Sequence, residues 1–170
     1  MTAPLIEHIG ILVPNLEQAI ERWSAATGYT FSPIARYRTG RYSDRSNPAL
    51  HDHDARISFS AEGPPRIELM EVSGEGTHGP AQLGIHHFGF PGSDPEARVA
   101  ALAGLGVDVD GISSDDEGRI LLCFTDKAAL DGIRLEFISP LPGPIVADDG
   151  SALRRDPVTG RADLWSRAQD

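Results

Sequence analysis

The same six-residue pattern occurs twice in this chain. Ile6-Glu7-His8-Ile9-Gly10-Ile11 and Ile85-His86-His87-Phe88-Gly89-Phe90 both read apolar, polar, His, apolar, Gly, apolar. Their histidines stand 79 residues apart in a chain of 170. A period of that length leaves room for two modules of about 70 residues sharing one core, and for little else. The likeness continues downstream. Asn15 opens one helix as its N-cap, and Ser93, with Glu96 completing a capping box, opens another. Leu16, Ala19, Ile20 and Trp23 follow a helical period, which Ala97, Val99, Leu102 and Leu105 repeat less cleanly. Gly28 and Gly106 stop the two helices.

Each half then turns to strand. Segments 29–37, 55–61 and 66–72 are the candidates in the first half; 107–112, 119–126 and 132–139 are those in the second. Each module therefore reads β-α-β-β-β, spanning 4–72 and 84–139, with a Gly-rich linker over 73–83. Such a module exposes strand edges and a bare sheet face when alone, so two should pair side by side. The fold class expected is α+β. Residues 140–170 form a tail outside the repeat, with a short helix expected over 161–169 that carries Leu164 and Trp165.

Composition narrows the function classes. Fifteen Lys and Arg stand against 25 Asp and Glu, a formal charge of −10, which repels phosphate backbones and anionic membranes. No apolar run approaches the ~18 residues of a membrane span, and residues 1–13 lack a signal-peptide pattern. A cytoplasmic protein acting on a small molecule, with no nucleic-acid or membrane partner, is the expectation. The single cysteine, Cys123, excludes an internal disulfide and reads as a small buried hydrophobe.

Each module ends in a strand with a carboxylate among apolar residues: Arg66-Ile67-Glu68-Leu69-Met70 and Ile133-Arg134-Leu135-Glu136-Phe137-Ile138. A carboxylate in such a strand needs a partner. One early His and one late Glu per module gives His8, Glu68, His87 and Glu136, a donor set suited to a divalent first-row metal. Strand alternation turns Glu71 away from Glu68 and His86 away from His87. His78, in the linker, reads as exposed and Trp23 as core.

These motifs together resemble the vicinal oxygen chelate superfamily, which includes glyoxalase I, methylmalonyl-CoA epimerase, extradiol dioxygenases and bleomycin-resistance proteins. The resemblance covers residues 4–139 and is carried by Glu7-His8-Ile9-Gly10-Ile11, Ile67-Glu68-Leu69-Met70-Glu71, His86-His87-Phe88-Gly89-Phe90 and Leu135-Glu136-Phe137. It implies two βαβββ modules paired into a cup-shaped mixed sheet around a divalent ion (Co, Ni, Mn, Zn or Fe) held by His8, Glu68, His87 and Glu136. Members similar to methylmalonyl-CoA epimerase are nearest. There a catalytic Glu precedes by four residues a position resembling Arg56, and here that place holds Asp52.

The implied chemistry is removal of a proton beside a carbonyl, giving a metal-dependent isomerase of epimerase or racemase type, with an acyl-CoA among the candidate substrates. The alternatives are a lyase, an extradiol-type dioxygenase, or a non-catalytic binding or resistance protein. Glu136 is the candidate base from the metal side. Asp52, or His51 or His53 beside it, is the candidate from the other side, and the same tetrad also reads as a solvated polar turn. Arg38 and Arg41, in the one basic stretch, could hold a substrate carboxylate or a CoA phosphate; that stretch equally reads as a solvated loop. The resemblance also implies a homodimer.

Overall fold

The structure, a computed structural model, describes residues 5–92 and 94–168. The first module runs β1 (His8–Val13), α1 (Leu16–Thr27), β2 (Ala35–Asp44), β3 (His51–Phe59) and β4 (Arg66–Glu71). The second repeats the order as β5 (Gly84–Pro91), α2 (Pro95–Gly104), β6 (Val109–Ser114), β7 (Ile120–Thr125) and β8 (Arg134–Ile138). Three short strands follow: β9 (Ile145–Ala147), β10 (Leu153–Arg155) and β11 (Ala162–Arg167).

The modules join along the antiparallel pair β1–β5. The strand order β3-β4-β1-β5-β8-β7-β6-β2 curls until β2 pairs with β3 as well, so eight strands form a barrel-like cup. This closure removes the open edges that either module has alone. β2 divides its second edge: Tyr42, Ser43 and Asp44 pair with β6, while Ala35, Arg36 and Tyr37 pair with β9 of the tail.

Two apolar clusters hold the cup. Outside it, Val13, Leu16, Ala19 and Leu69 seat α1 on the sheet. The other cluster joins Leu12, Ala35, Ala55, Ile57 and Met70 to Ala147 and Leu153 of the tail. Helix α1 starts and stops where the residues dictate. Asn15 accepts a bond from the Gln18 amide at 2.8 Å, and Gly28 ends the helix with a left-handed φ of 76°.

Several local expectations shift. Asp94 caps α2, accepting from the Ala97 amide at 3.0 Å, whereas Ser93 lies outside the described residues. The Glu96 carboxylate takes the Ile120 amide at 2.7 Å and ties α2 to β7, and its capping box with Ser93 lies outside the described residues. The segment 29–37 is mostly irregular around Pro33, and strand begins at Ala35. β3 begins four residues early, at His51, because pairing with β2 supplies ladder partners for the polar tetrad. The linker carries two 3-10 helices, and His78 is buried rather than exposed. The tail helix over 161–169 is overturned: Ala162–Arg167 is strand, paired with β10, and Leu164 packs on the apolar cluster (Gln169 lies outside the described residues). Tertiary burial here overrides a weak helical pattern.

Candidate metal centre

Two residue rows cross the four central strands. Glu68 of β4 lies opposite Gly10 of β1, which lies opposite His87 of β5. His8 of β1 lies opposite Gly89 of β5, which lies opposite Glu136 of β8. Each imidazole thus lies over the other module's glycine. A Cβ on Gly10 would overlap the His87 ring, and one on Gly89 would overlap the His8 ring. The repeated His-x-Gly motif is therefore reciprocal: each glycine clears space for the histidine of the opposite half.

The four side chains meet in the interior. His8 Nε2 stands 2.9 Å from His87 Nε2, 3.0 Å from Glu136 Oε2 and 3.5 Å from Glu68 Oε2. His87 Nε2 stands 3.2 Å from Glu68 Oε2 and 3.4 Å from Glu136 Oε2. Ligand atoms about 2.1 Å from one cation lie roughly 3.0–3.4 Å from one another, so this spacing fits a shared ion. The donor chemistry agrees. His8 Nδ1 sits 2.7 Å from Glu7 Oε2, an acceptor, so in the neutral ring the proton belongs on Nδ1 and the Nε2 lone pair faces the cluster. Carboxylate oxygens and imidazole nitrogens that converge on one point require positive charge between them, from a bound cation or, without one, from protons on the two rings. His8, His87 and Glu136 are the tightest set, and Glu7 orients His8 from behind.

The electrostatics of the cluster follow from the same contacts. Burial opposes charge on His8, but Glu136 and Glu7 outweigh it and lift the ring to about 10. His87 is raised too, burial being outweighed by Glu136 and Glu68. Burial would raise Glu136, yet the two imidazoles hold it far below the usual carboxylate range, so it is ionised. Glu7 is lowered chiefly by its hydrogen bond to His8.

The centre opens into a cavity of about 430 Å³ walled by Tyr37, Ile57, Phe59, Met70, Phe124 and Leu164, among others. Phe59 packs edge-on to His8 with ring centroids 5.4 Å apart. His53 and His78 face the same cavity; His53 stacks on Tyr42 with ring centroids 4.4 Å apart, and His78 lies tilted against His53 and edge-on to Tyr42. Burial presses His53 down to about 4 and His78 well below its usual value, so both are neutral.

The other sequence candidates lie elsewhere. Asp52 is exposed on the outward face of β3, because alternation gives the cup face to His53, Ala55, Ile57 and Phe59. His51 bonds the Ala49 carbonyl at 2.9 Å and is outside the cavity lining described. Arg38 pairs with Asp54 on the outside at 3.1 Å. Arg41 is half-buried, with its Nε enclosed and without a hydrogen bond, and it too stands outside that lining. The arginines that do line the cavity are Arg66 of β4 and Arg161, just ahead of β11. Arg66 lies over the Trp165 ring at 5.8 Å. Arg161 and Trp165 were hidden by reading the tail as a helix. Glu7, the partner behind His8, stood in the motif itself, directly before His8.

A model of the glyoxalase/bleomycin resistance protein/dioxygenase superfamily matches residues 7–119. The chain belongs to this superfamily. Its likeness to solved structures is one of fold. A hypothetical protein from Bacillus halodurans C-125 superposes with a TM-score of 0.55 at 20% identity, covering 81% of this chain and 95% of its own. The Streptomyces coelicolor methylmalonyl-CoA epimerase, solved with 2-nitronate-propionyl-CoA, gives 0.53 at 18%, covering 81% and 98%. The Mycobacterium tuberculosis methylmalonyl-CoA epimerase gives 0.52 at 18%, covering 84% and 94%. No curated protein matches the chain at a significant level. The superfamily match ends before β7, β8 and the tail strands that roof this cup. No helix among the described residues is long and apolar enough to cross a membrane.

Proposed function

We propose that the chain is a metal-dependent isomerase, of epimerase or racemase type, that moves a proton beside a carbonyl of a small molecule. His8, Glu68, His87 and Glu136 are the proposed ligands. A divalent ion bound there supplies Lewis-acid stabilisation of negative charge developing on the carbonyl oxygen. The observation that carries the reading is the placement of one carboxylate from each module beside the imidazole pair, Glu68 on β4 and Glu136 on β8. Glu136, ionised, accepts the proton. A proton returned to the opposite face of the carbon, from a group that is itself protonated, inverts it. The apolar walls exclude water from the carbanion-like carbon.

The cavity falls within the ~300–1,000 Å³ of small-molecule sites. It suits the acyl end of a thioester, with Arg66 and Arg161 available to an anionic group. Epimerase relatives that act on acyl-CoA make a CoA thioester the first substrate to try. Protein loaded with Co²⁺ and incubated with methylmalonyl-CoA and other acyl-CoAs in heavy water should wash deuterium into the carbon beside the carbonyl. Glu136→Gln should lower that rate by about 10²–10⁴-fold. Exchange that proceeds unchanged in the variant would remove Glu136 from the mechanism.

One observation favours a second reading. The tightest donor set, two His and one carboxylate, has the composition of non-haem Fe(II) oxygenase sites. Oxygen uptake by the Fe²⁺-loaded protein with a catechol would select that alternative.

A further inference from the structure

β5 departs from regular alternation at one residue. Gly10 pairs with His87 and Ile11 with Ile85, so His86 is the extra residue of a β-bulge. The bulge turns two successive side chains to the interior: His86 is 1% exposed and His87 fully buried. This corrects the expectation that His86 points away from His87. The His86 ring is wedged between Phe124 and His78, with centroids at 5.4 Å and 5.0 Å.

The hydrogen bonds of His86 run in one direction. His86 Nε2 lies 2.6 Å from the Thr77 carbonyl oxygen, which only accepts, so Nε2 carries the proton. In the neutral ring Nδ1 is then a lone pair, and it lies 2.9 Å from His87 Nδ1. His87 Nδ1 must therefore donate, which in the neutral ring leaves His87 Nε2 as the lone pair facing His8 Nε2 and the two carboxylates. Thr77 itself is locked, its amide and hydroxyl both bonded to Asp44 and its hydroxyl to Tyr42.

We propose that His86 is a positioning residue that fixes His87 in the tautomer whose Nε2 is free to bind a metal ion. The proposal rests on the metal-centre reading and extends it to the partner behind the second imidazole, where His86 does for His87 what Glu7 does for His8. A neutral acceptor, unlike the Glu7 carboxylate, adds no charge behind its histidine, so the two halves of the centre are tuned differently.

The test combines Zn²⁺ affinity with nitrogen NMR of the histidine rings. In Zn²⁺-loaded wild-type protein His86 should carry its proton on Nε2. His87 should carry its proton on Nδ1, with a through-hydrogen-bond coupling between the two Nδ1 atoms. By chelator competition, His86→Leu should weaken Zn²⁺ binding about 10–100-fold. His86→Asn, whose Oδ1 can take the acceptor's place, should bind close to wild type. His86 protonated on Nδ1, or a folded Leu variant that binds as tightly as wild type, overturns the role of His86. The tautomer is read on wild-type protein and does not depend on the Leu variant folding. Wild-type protein that takes up no Zn²⁺ overturns the metal-centre reading itself.

Discussion

Two hydrogen atoms decide whether the two histidines can meet. Gly10 and Gly89 lie under the rings of His87 and His8, and a methyl group at either position would overlap the ring atoms and force the ring to shift. Both positions have ordinary strand backbone, so alanine strains only the ring above it. Gly10→Ala or Gly89→Ala is expected to leave the fold intact while lowering metal affinity about tenfold or more. Isothermal titration with Zn²⁺ alongside circular dichroism checks this, and tight binding in both variants would show that the rings have room. The four candidate ligands were legible in the sequence only because each module repeats them. Singly, a strand His or Glu carries no such signal. The partners of those ligands were less legible. Glu7 adjoined His8, but nothing in Ile85-His86-His87 announces a bulge, because register is set by strands distant in sequence.

The elements show where local pattern was sufficient and where it failed. Helix α1 obeyed its cap, period and glycine stop, all of which act within a few residues. The tail did not obey its pattern. Alone, Arg161-Ala162-Asp163-Leu164-Trp165 offers a helix one apolar turn; in the fold it gains the β10 ladder and a place for Leu164 against the interior cluster. Leu153 on β10 is 7% exposed in that cluster, so Leu153→Ala should cost about 2–5 kcal/mol of stability. Urea unfolding followed by fluorescence measures it; a loss well under 1 kcal/mol would mean the tail adds little to the core. Side-chain direction on β3 is a second such case. Alternation was readable in His51-Asp52-His53-Asp54, but not which parity faces the cup, and pairing with β2 and β4 gives that face to His53.

Across the whole molecule, the interior holds neutral histidines as well as ion-paired ones. An unfolded histidine titrates near 6.5. His53 in the fold does not take up its proton until about 4, and buried His78 is lowered as well. Between those pH values the unfolded chain binds more protons than the folded one. This contribution to stability is therefore complete above about 6.5 and is lost as pH falls toward 4. His8 and His87 shift the other way, and their effect lies above 6.5. Thermal melts of metal-stripped protein should decline across pH 6.5 to 4, and less steeply for His53→Gln. Parallel curves for the two proteins would show that His53 is free to protonate in the fold.

The sequence by itself determined the duplicated β-α-β-β-β order, the pairing of two modules, the ends of helix α1 and the identity of four candidate ligands. Those features follow from local periods, local caps and a repeat that can be read by eye. Only the tertiary structure decided which side chains meet: the bulge that brings His86 in behind His87, the strand face that admits His53 and excludes Asp52, and the tail that carries Arg161 and Trp165 to the cavity. Each of these depends on strand register between residues far apart in the chain, where a shift of one position reverses every side chain, and no local pattern encodes that choice.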